Sequence, residues 1–293
     1  MNTNLRKREN MSGFLFIFPA ILFFSVFVLF PFAYSLYLSL HRWNGGKMTD
    51  ISFVGFEQYA KALQSPEFWS SLGHTTYYTF AALVLHLAFG LTFAVLLNRN
   101  IRGRTFLRAA YFTPVVMSTI VVGVIWRWIY SPETGLFNYF LGWFGIEPIA
   151  WLGDPDWAMP AIIFMSLWKW VGFHMVIYLA ALQGIPKDLY ESASIDGATG
   201  WQRFKSITLP MLSSTTFFLT VTSIINSFQI FDQIYVMTGG GPLDATNVVV
   251  YYIYKSAFLY YDMPYASAIA WLLFLVIFLV TMAQMKFARS DWQ

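Results

Sequence analysis

Six apolar runs, each close to the length that crosses a bilayer, punctuate this 293-residue chain. They lie at about 13–38, 75–97, 107–130, 158–182, 209–236 and 266–286, and a helix needs about 20 apolar residues to cross the hydrocarbon core. Residues of hydrophobic type make up 57% of the chain and charged ones 11%, against about 25% charged in an average soluble domain. A soluble fold could not hide so much apolar surface from water. The expected fold is therefore an all-α polytopic membrane protein with six transmembrane helices. A shorter apolar stretch, Asn247–Phe258, carries Lys255 and reads as an interfacial or re-entrant segment.

Basic residues set the expected orientation. One set of loops and tails holds Arg6, Lys7, Arg8, Arg99, Arg102, Arg104, Arg108, Lys187, Arg203, Lys205, Lys286 and Arg289; the other side holds only Arg42, Lys47, Lys61 and Lys255. The richer side is expected to be cytoplasmic, which places both termini and the 187–208 loop there. The run after Arg6, Lys7 and Arg8 is too long for a signal-peptide core and no small-residue cleavage pattern follows, so it reads as an uncleaved first span. The chain has no cysteine, which removes disulfides, thiolate metal sites and cysteine nucleophiles. Its four histidines, His41, His74, His86 and His174, lack ligand spacing, so no metal site is assigned. His86 reads as a packing residue. The glycine-rich stretch Thr238–Thr246 lacks the Gly-Lys-Ser/Thr of a phosphate-binding loop, and no nucleic-acid partner is expected. No internal repeat supports an inverted-repeat carrier.

The loop ESASIDGATGWQRFKSITLP, Glu191–Pro210, is polar and charged between two apolar runs. Pro186 suits the start of a short helix and Gly197 the left-handed position that ends it. A second short helix, WQRFKSI, then leads into the next span. The spacing of Glu191, Gly197, Ile207, Leu209 and Pro210 resembles the coupling (EAA) loop of the membrane subunits of binding-protein-dependent ABC importers. Ser192 departs from that pattern, standing where the family usually has Ala. The resemblance implies that Glu191, Ser192, Ala193, Asp196, Gly197, Ala198, Ile207, Leu209 and Pro210 couple the chain to an ATPase.

From about Leu72 to Phe287 the chain is similar to carbohydrate-uptake ABC importers, in particular the maltose- and glycerol-phosphate-type first membrane subunit. YESASIDGA, WQRFKSITLPML, SFQIFDQIYVMTGGGP and LRAAYFTPVV carry this narrower match, with the first span. The implied organisation is a tail, first helix and outer loop (1–71), a core permease domain (72–287, coupling loop 186–210) and a tail (288–293). The implied assembly contains a second, related permease subunit, two cytoplasmic ATPase subunits and an extracytoplasmic solute-binding protein, in a prokaryotic cytoplasmic membrane. The chain itself is expected to be no enzyme and to hold no cofactor; ATP and magnesium would sit on the ATPases.

Polar side chains inside spans mark cavities or helix partners, because exposing them to lipid is costly. On one continuous helix, Thr222, Asn226, Gln229 and Gln233 share a narrow face, and their amides suit the hydroxyls of an uncharged sugar. Two readings stand for this face: a substrate path, or hydrogen bonds between helices. Asp232 points elsewhere, towards the outer mouth. In the fourth span, Trp168 and Lys169 are assigned to the substrate path, with snorkelling of Lys169 as the other reading. Arg127 reads as an interfacial anchor. The function expected is half of a translocation path for a carbohydrate. The alternatives are a phosphorylated polyol held by Lys169 or Arg127, and an ion-coupled carrier.

Overall fold

The computed structural model describes residues 3–43 and 51–290, with side chains for 14–43 and 51–286. The side chains of Arg6, Lys7, Arg8, Lys47 and Arg289, and those of the 288–293 tail, lie outside the described residues. Two compact units emerge: one joins Met1–Ser65 to Ile253–Phe274, the other Pro66–Tyr252 to the residues from Leu275 onward.

In the first unit, helix α1 (Thr3–Phe24) passes through a π turn at Ser25–Leu29 into α2 (Phe30–Ser39). Pro31 explains the widened turn. A proline lacks an N–H and its ring clashes with the carbonyl four residues back; the turn relieves this as Phe30 N–H reaches Ser25 O five residues back. Two short strands, β1 (His41–Arg42) and β2 (Ser52–Phe53), pair antiparallel with His41 opposite Phe53. Helix α3 (Glu57–Gln64) follows. Arg42 pairs with Glu57, and Lys61 Nζ donates to Asp262 at 3.0 Å. Trp271 packs on Phe32 at 4.6 Å and donates from Nε1 to Ser35 Oγ.

The second unit is built on α4 (Pro66–Asn98) and α8 (Pro155–Gln183), both uninterrupted and long enough to span. Between them lie α5 (Arg104–Val116), α6 (Thr119–Ile129) and the short helix α7 (Leu136–Gly142). After α8 come α9 (Lys187–Ile195), α10 (Gly200–Arg203), α11 (Leu209–Met211), α12 (Ser213–Phe228) and α13 (Asp232–Met237). Helix α14 (Val249–Tyr254) and the last span, α15 (Met263–Ser290), complete the chain.

Two of the six expected spans are not single helices. The third is α5 plus α6, bent by 102° at Met117–Ser118; the fifth is α10–α11 plus α12, bent by 61°. Prolines stand beside both bends. Pro114 weakens the last turn of α5, and Pro210 is preceded by a second π turn at Phe204–Thr208, where Leu209 N–H reaches Phe204 O. The short apolar stretch at 247–258 packs inside protein: Val248 and Val249 are fully buried, and Val249 N–H donates to Thr75 Oγ1 of α4 at 2.9 Å.

Glycine decides how closely α5 and α8 approach. A Cβ on Gly172 would lie 2.0 Å from the Tyr111 carbonyl oxygen, and one on Gly90 of α4 would lie 2.6 Å from His174 Cβ. Where lipid surrounds the helices, such backbone proximity replaces the hydrophobic drive. Below these contacts Ala94, Leu97, Tyr178, Leu179, Leu182, Leu212 and Leu219 form an apolar core between α4, α8 and α12. We expect Gly172→Ala to lower the thermal midpoint of the detergent-purified protein by several degrees, since overpacking costs about 1–3 kcal/mol. Gly73→Ala, on an exposed helical position with open space around it, should leave the midpoint unchanged or raise it by about a degree or two.

Candidate functional site

A cavity of about 440 Å³ opens between α4, α8 and α12–α13, with Thr119 at the start of α6 on its wall. Its polar wall is built at four-residue intervals. On α8, Ser166, Trp170 and His174 recur every fourth residue; on α4, Tyr78 and His86 stand eight apart; on α12, Thr222, Ser223, Asn226 and Ser227 share a face. Residues three or four apart meet on one helix face.

These groups bond across helices. Gln233 Nε2 donates to Tyr78 Oη at 2.7 Å, and Tyr78 donates to Ser166 Oγ at 2.8 Å. Ser166 faces His86 Nε2 at 3.5 Å. His86 lies against His174, ring centroids 5.0 Å apart. His174 Nδ1 donates to the Trp170 carbonyl at 3.0 Å, which leaves its Nε2 to accept from Ser223 Oγ at 2.8 Å. The relay from Gln233 to His86 ties α13 to α4 and α4 to α8, the separate His174–Ser223 pair ties α8 to α12, and these side chains are buried.

The four residues expected on one face of the fifth span all line this cavity, but not by way of one helix. Helix α12 stops at Phe228, and the backbone leaves the helical region at Phe231 (φ −143°, ψ −59°) before α13 begins. Irregular backbone at membrane depth is tolerated where it lines a cavity, which is where this break lies. The break also corrects the placement of Asp232: freed from helical register, its exposed carboxylate stands on the cavity wall. The two readings of the face divide between residues. Gln233 is buried and bonds between helices, and Thr222 returns its hydroxyl to Phe218 O. Asn226 and Gln229 are exposed to the cavity, without a side-chain hydrogen bond among the described residues.

Lys169 and Trp168 are absent from this cavity. Trp168 lies on the other side of α8, beside Phe89, Tyr111 and Pro114 in an apolar pocket. Lys169, 1% exposed, donates from Nζ to Met117 O at 2.7 Å and Pro114 O at 3.2 Å, and lies 5.0 Å from the Trp170 ring centroid. Carbonyls at a helix end lack the N–H four residues on, and Pro114 O keeps only a turn bond from Met117 N–H at 3.3 Å. A buried lysine is stable here because its donors meet them. Arg127 is exposed and also outside the cavity. Tyr78, Ser166 and Ser223 escaped the sequence reading, as did the cavity-facing role of His86; the four-residue polar period on α8 was the available signal.

The loop after α8 folds as a braced hairpin. Pro186 caps α9 from outside its first turn. At the other end Ala198 N–H bonds Ala193 O and Gly197 N–H bonds Ser194 O, with Gly197 at φ +80°. This is the Schellman arrangement, for which glycine carries no Cβ penalty. Thr199 and Gln202 then cap α10 reciprocally. Arg203 Nη1 donates to Ser194 Oγ, Ser194 to Tyr190 O, and Tyr190 Oη meets Thr208 Oγ1 at 3.0 Å. Glu191, Ser192, Asp196, Gly197, Leu209 and Pro210 are exposed; Ala193, Ala198 and Ile207 are half-buried. Ile207 packs with Tyr190 on the helix core, so it anchors the hairpin to the spans. Ile195 and Trp201, 87% and 70% exposed, add an apolar tip that the motif alone did not point to.

Tyr78→Phe removes the hydroxyl that both accepts from Gln233 and donates to Ser166. With Gln233 Nε2 left buried and unpaired, the loss should be about 1–3 kcal/mol, read as a lower thermal midpoint, while Tyr77→Phe on the exposed neighbour should have no effect.

Residues 86–290 match the family described as the inner membrane component of binding-protein-dependent transport systems. The trehalose/maltose transport system permease protein MalF of Thermococcus litoralis is 37% identical over 99% of this chain and 97% of its own length. The lactose transport system permease protein LacF of Rhizobium radiobacter is 34% identical over 98% of this chain and 97% of its own. A chain in the crystal structure of a bacterial alginate ABC transporter, in complex with alginate pentasaccharide-bound periplasmic protein, aligns with a TM-score of 0.86 at 24% identity, covering 97% of this chain and 96% of that one; that likeness shows the fold alone. On the long family match and the full-length relatives, the chain belongs to the inner-membrane components of binding-protein-dependent transport systems, as a multi-span transport subunit and not an enzyme.

Proposed function

We propose that this chain forms half of the translocation path of an ABC importer for an uncharged carbohydrate, handed over by a solute-binding protein on the outer face. The observation that carries the choice of cargo is the cavity wall. Asn226 and Gln229 offer unengaged amides, Asp232 offers a carboxylate, and among the described residues no lysine or arginine lines the space. Amides donate and accept, as sugar hydroxyls do, whereas a phosphate would meet Asp232 with no countercharge. The phosphorylated-polyol alternative therefore loses its footing: Lys169 spends its donors on backbone carbonyls, and Arg127 is outside the cavity. The full-length relatives named above carry sugar names as well. Family membership leaves no support for an ion-coupled carrier.

The hairpin is the coupling element in this reading. Its bracing and its anchor through Tyr190 and Ile207 suit a rigid knob that passes motion of an ATPase pair into α8 and α12. Glu191, Ser192, Ala193, Asp196, Gly197, Ala198, Leu209 and Pro210 form or adjoin its outer surface, with Ile195 and Trp201 at the tip. A second, related permease subunit closes the other half of the path. ATP and magnesium bind the ATPase subunits only. Both termini and the hairpin face the cytoplasm, in keeping with the distribution of basic residues.

Gly197→Pro and Glu191→Lys should abolish uptake in cells while membrane abundance holds. In the cysteine-free chain, Lys187→Cys should react with an impermeant maleimide only from inside. Uptake at parental rates in both hairpin variants, or labelling from outside, would overturn the coupling role.

Asn226→Leu with Gln229→Leu should raise KM for the transported sugar by about tenfold or more, since two hydrogen bonds of ~0.5–1.5 kcal/mol are lost. The probes are radiolabelled trehalose, maltose and lactose, with glycerol phosphate as the charged comparison. Preference for the phosphate ester would overturn the uncharged-cargo reading.

A further inference from the structure

We propose that Lys169 is a positioning residue, which sets the bend between α5 and α6 and so places Thr119 in the cavity wall. Three observations meet at this point. The third span turns through 102° at Met117–Ser118, an angle far beyond a proline kink within one helix. Two carbonyls at the break, Met117 O and Pro114 O, the second also closing a turn with Met117 N–H at 3.3 Å, both accept from one buried ammonium of α8. Of α5 and α6, only Thr119, two residues past Met117, lines the cavity.

The same stretch of α8 holds α5 twice. Gly172 lets the Tyr111 carbonyl come within 2.0 Å of where a Cβ would stand, and Lys169, one turn earlier, takes the end of the helix. Gly172 sets the separation and Lys169 sets the angle. The lysine suits the task for a chemical reason. It has three donors and no acceptor, its long stem crosses the gap between helices, and its positive charge lies at the negative end of the α5 dipole. Neighbouring Trp170 lines the cavity while Lys169 faces away from it, so the two residues divide substrate wall and scaffold between them.

The functional arm of the test rests on the transport reading above; the structural arm does not. Phe106 on α5 and Val124 on α6 are exposed, and in a chain without cysteine a spin label at each reports the bend by pulsed dipolar spectroscopy. The full chain in lipid nanodiscs should give one narrow distance distribution, retained in Lys169→Arg. Lys169→Met should broaden it and extend it to longer separations. In cells, Lys169→Met should raise KM for the sugar taken up by the parent by about tenfold, with membrane abundance within twofold and recovery in Lys169→Arg. Thr119→Val should raise KM without altering the distance distribution. An unchanged distribution in Lys169→Met overturns the proposal. So does a changed distribution with unchanged KM, because the bend would then not position the cavity. If the parent takes up none of trehalose, maltose or lactose, the transport reading fails, and the spectroscopic arm alone decides the bend. Should Lys169→Met fail to insert, Lys169→Gln replaces it under the same criteria.

Discussion

The carbonyl oxygens of Pro114 and Met117, at a break inside a membrane span, are met by the Lys169 ammonium, and the cavity depends on that bond. Hydrocarbon offers no water to satisfy a broken helix, so breaks occur only where protein or a polar cavity supplies partners. Both solutions are present. At the third span a lysine from α8 supplies the donors. At the end of α12 the freed backbone lies along the polar wall of the cavity, with Gln233 turned to Tyr78. The two breaks lie beside Thr119 and Asp232, and both residues line one space.

Polar groups within the second unit thus do two kinds of work. The relay from Gln233 through Tyr78 and Ser166 to His86, and the separate His174–Ser223 pair, are internally satisfied and hold helices together. Asn226, Gln229 and Asp232 are exposed on the same wall and available to a ligand. The division is physical. A buried amide without a partner is costly, so Gln233 is engaged, whereas a cavity-facing amide can be solvated until cargo arrives. The same logic separates the hairpin residues: Tyr190 and Ile207 tie it to the helix core, and the acidic and small residues of the motif remain outside.

Both π turns that precede a proline, at Ser25–Leu29 before Pro31 and Phe204–Thr208 before Pro210, show how the helices absorb residues that would otherwise end them. In each, the residue before proline bonds five positions back, giving the ring room. At Pro114 no such turn forms and the helix ends two residues later. The direction of the chain is therefore kept at the first site, bent by 61° just beyond the second and by 102° beyond the third.

Apolar run length determined the number and order of the spans, because bilayer thickness is a local constraint on consecutive residues. The hairpin was legible for a similar reason. Its first helix starts beside Pro186 and stops at Gly197 through local backbone effects, written within about ten residues of one another. The role of Lys169 was not legible, since its partners lie more than fifty residues away and are main-chain carbonyls with no side-chain signature. Nor was the break after Phe228, where no proline or glycine marks the position and a tertiary bond from Gln233 to Tyr78 accompanies the change of direction. Sequence alone decided which segments enter the membrane and which loop protrudes. Only the packing of distant helices decided which polar side chains became scaffold and which were left to face the cavity, because a buried donor takes whatever acceptor the fold brings within reach.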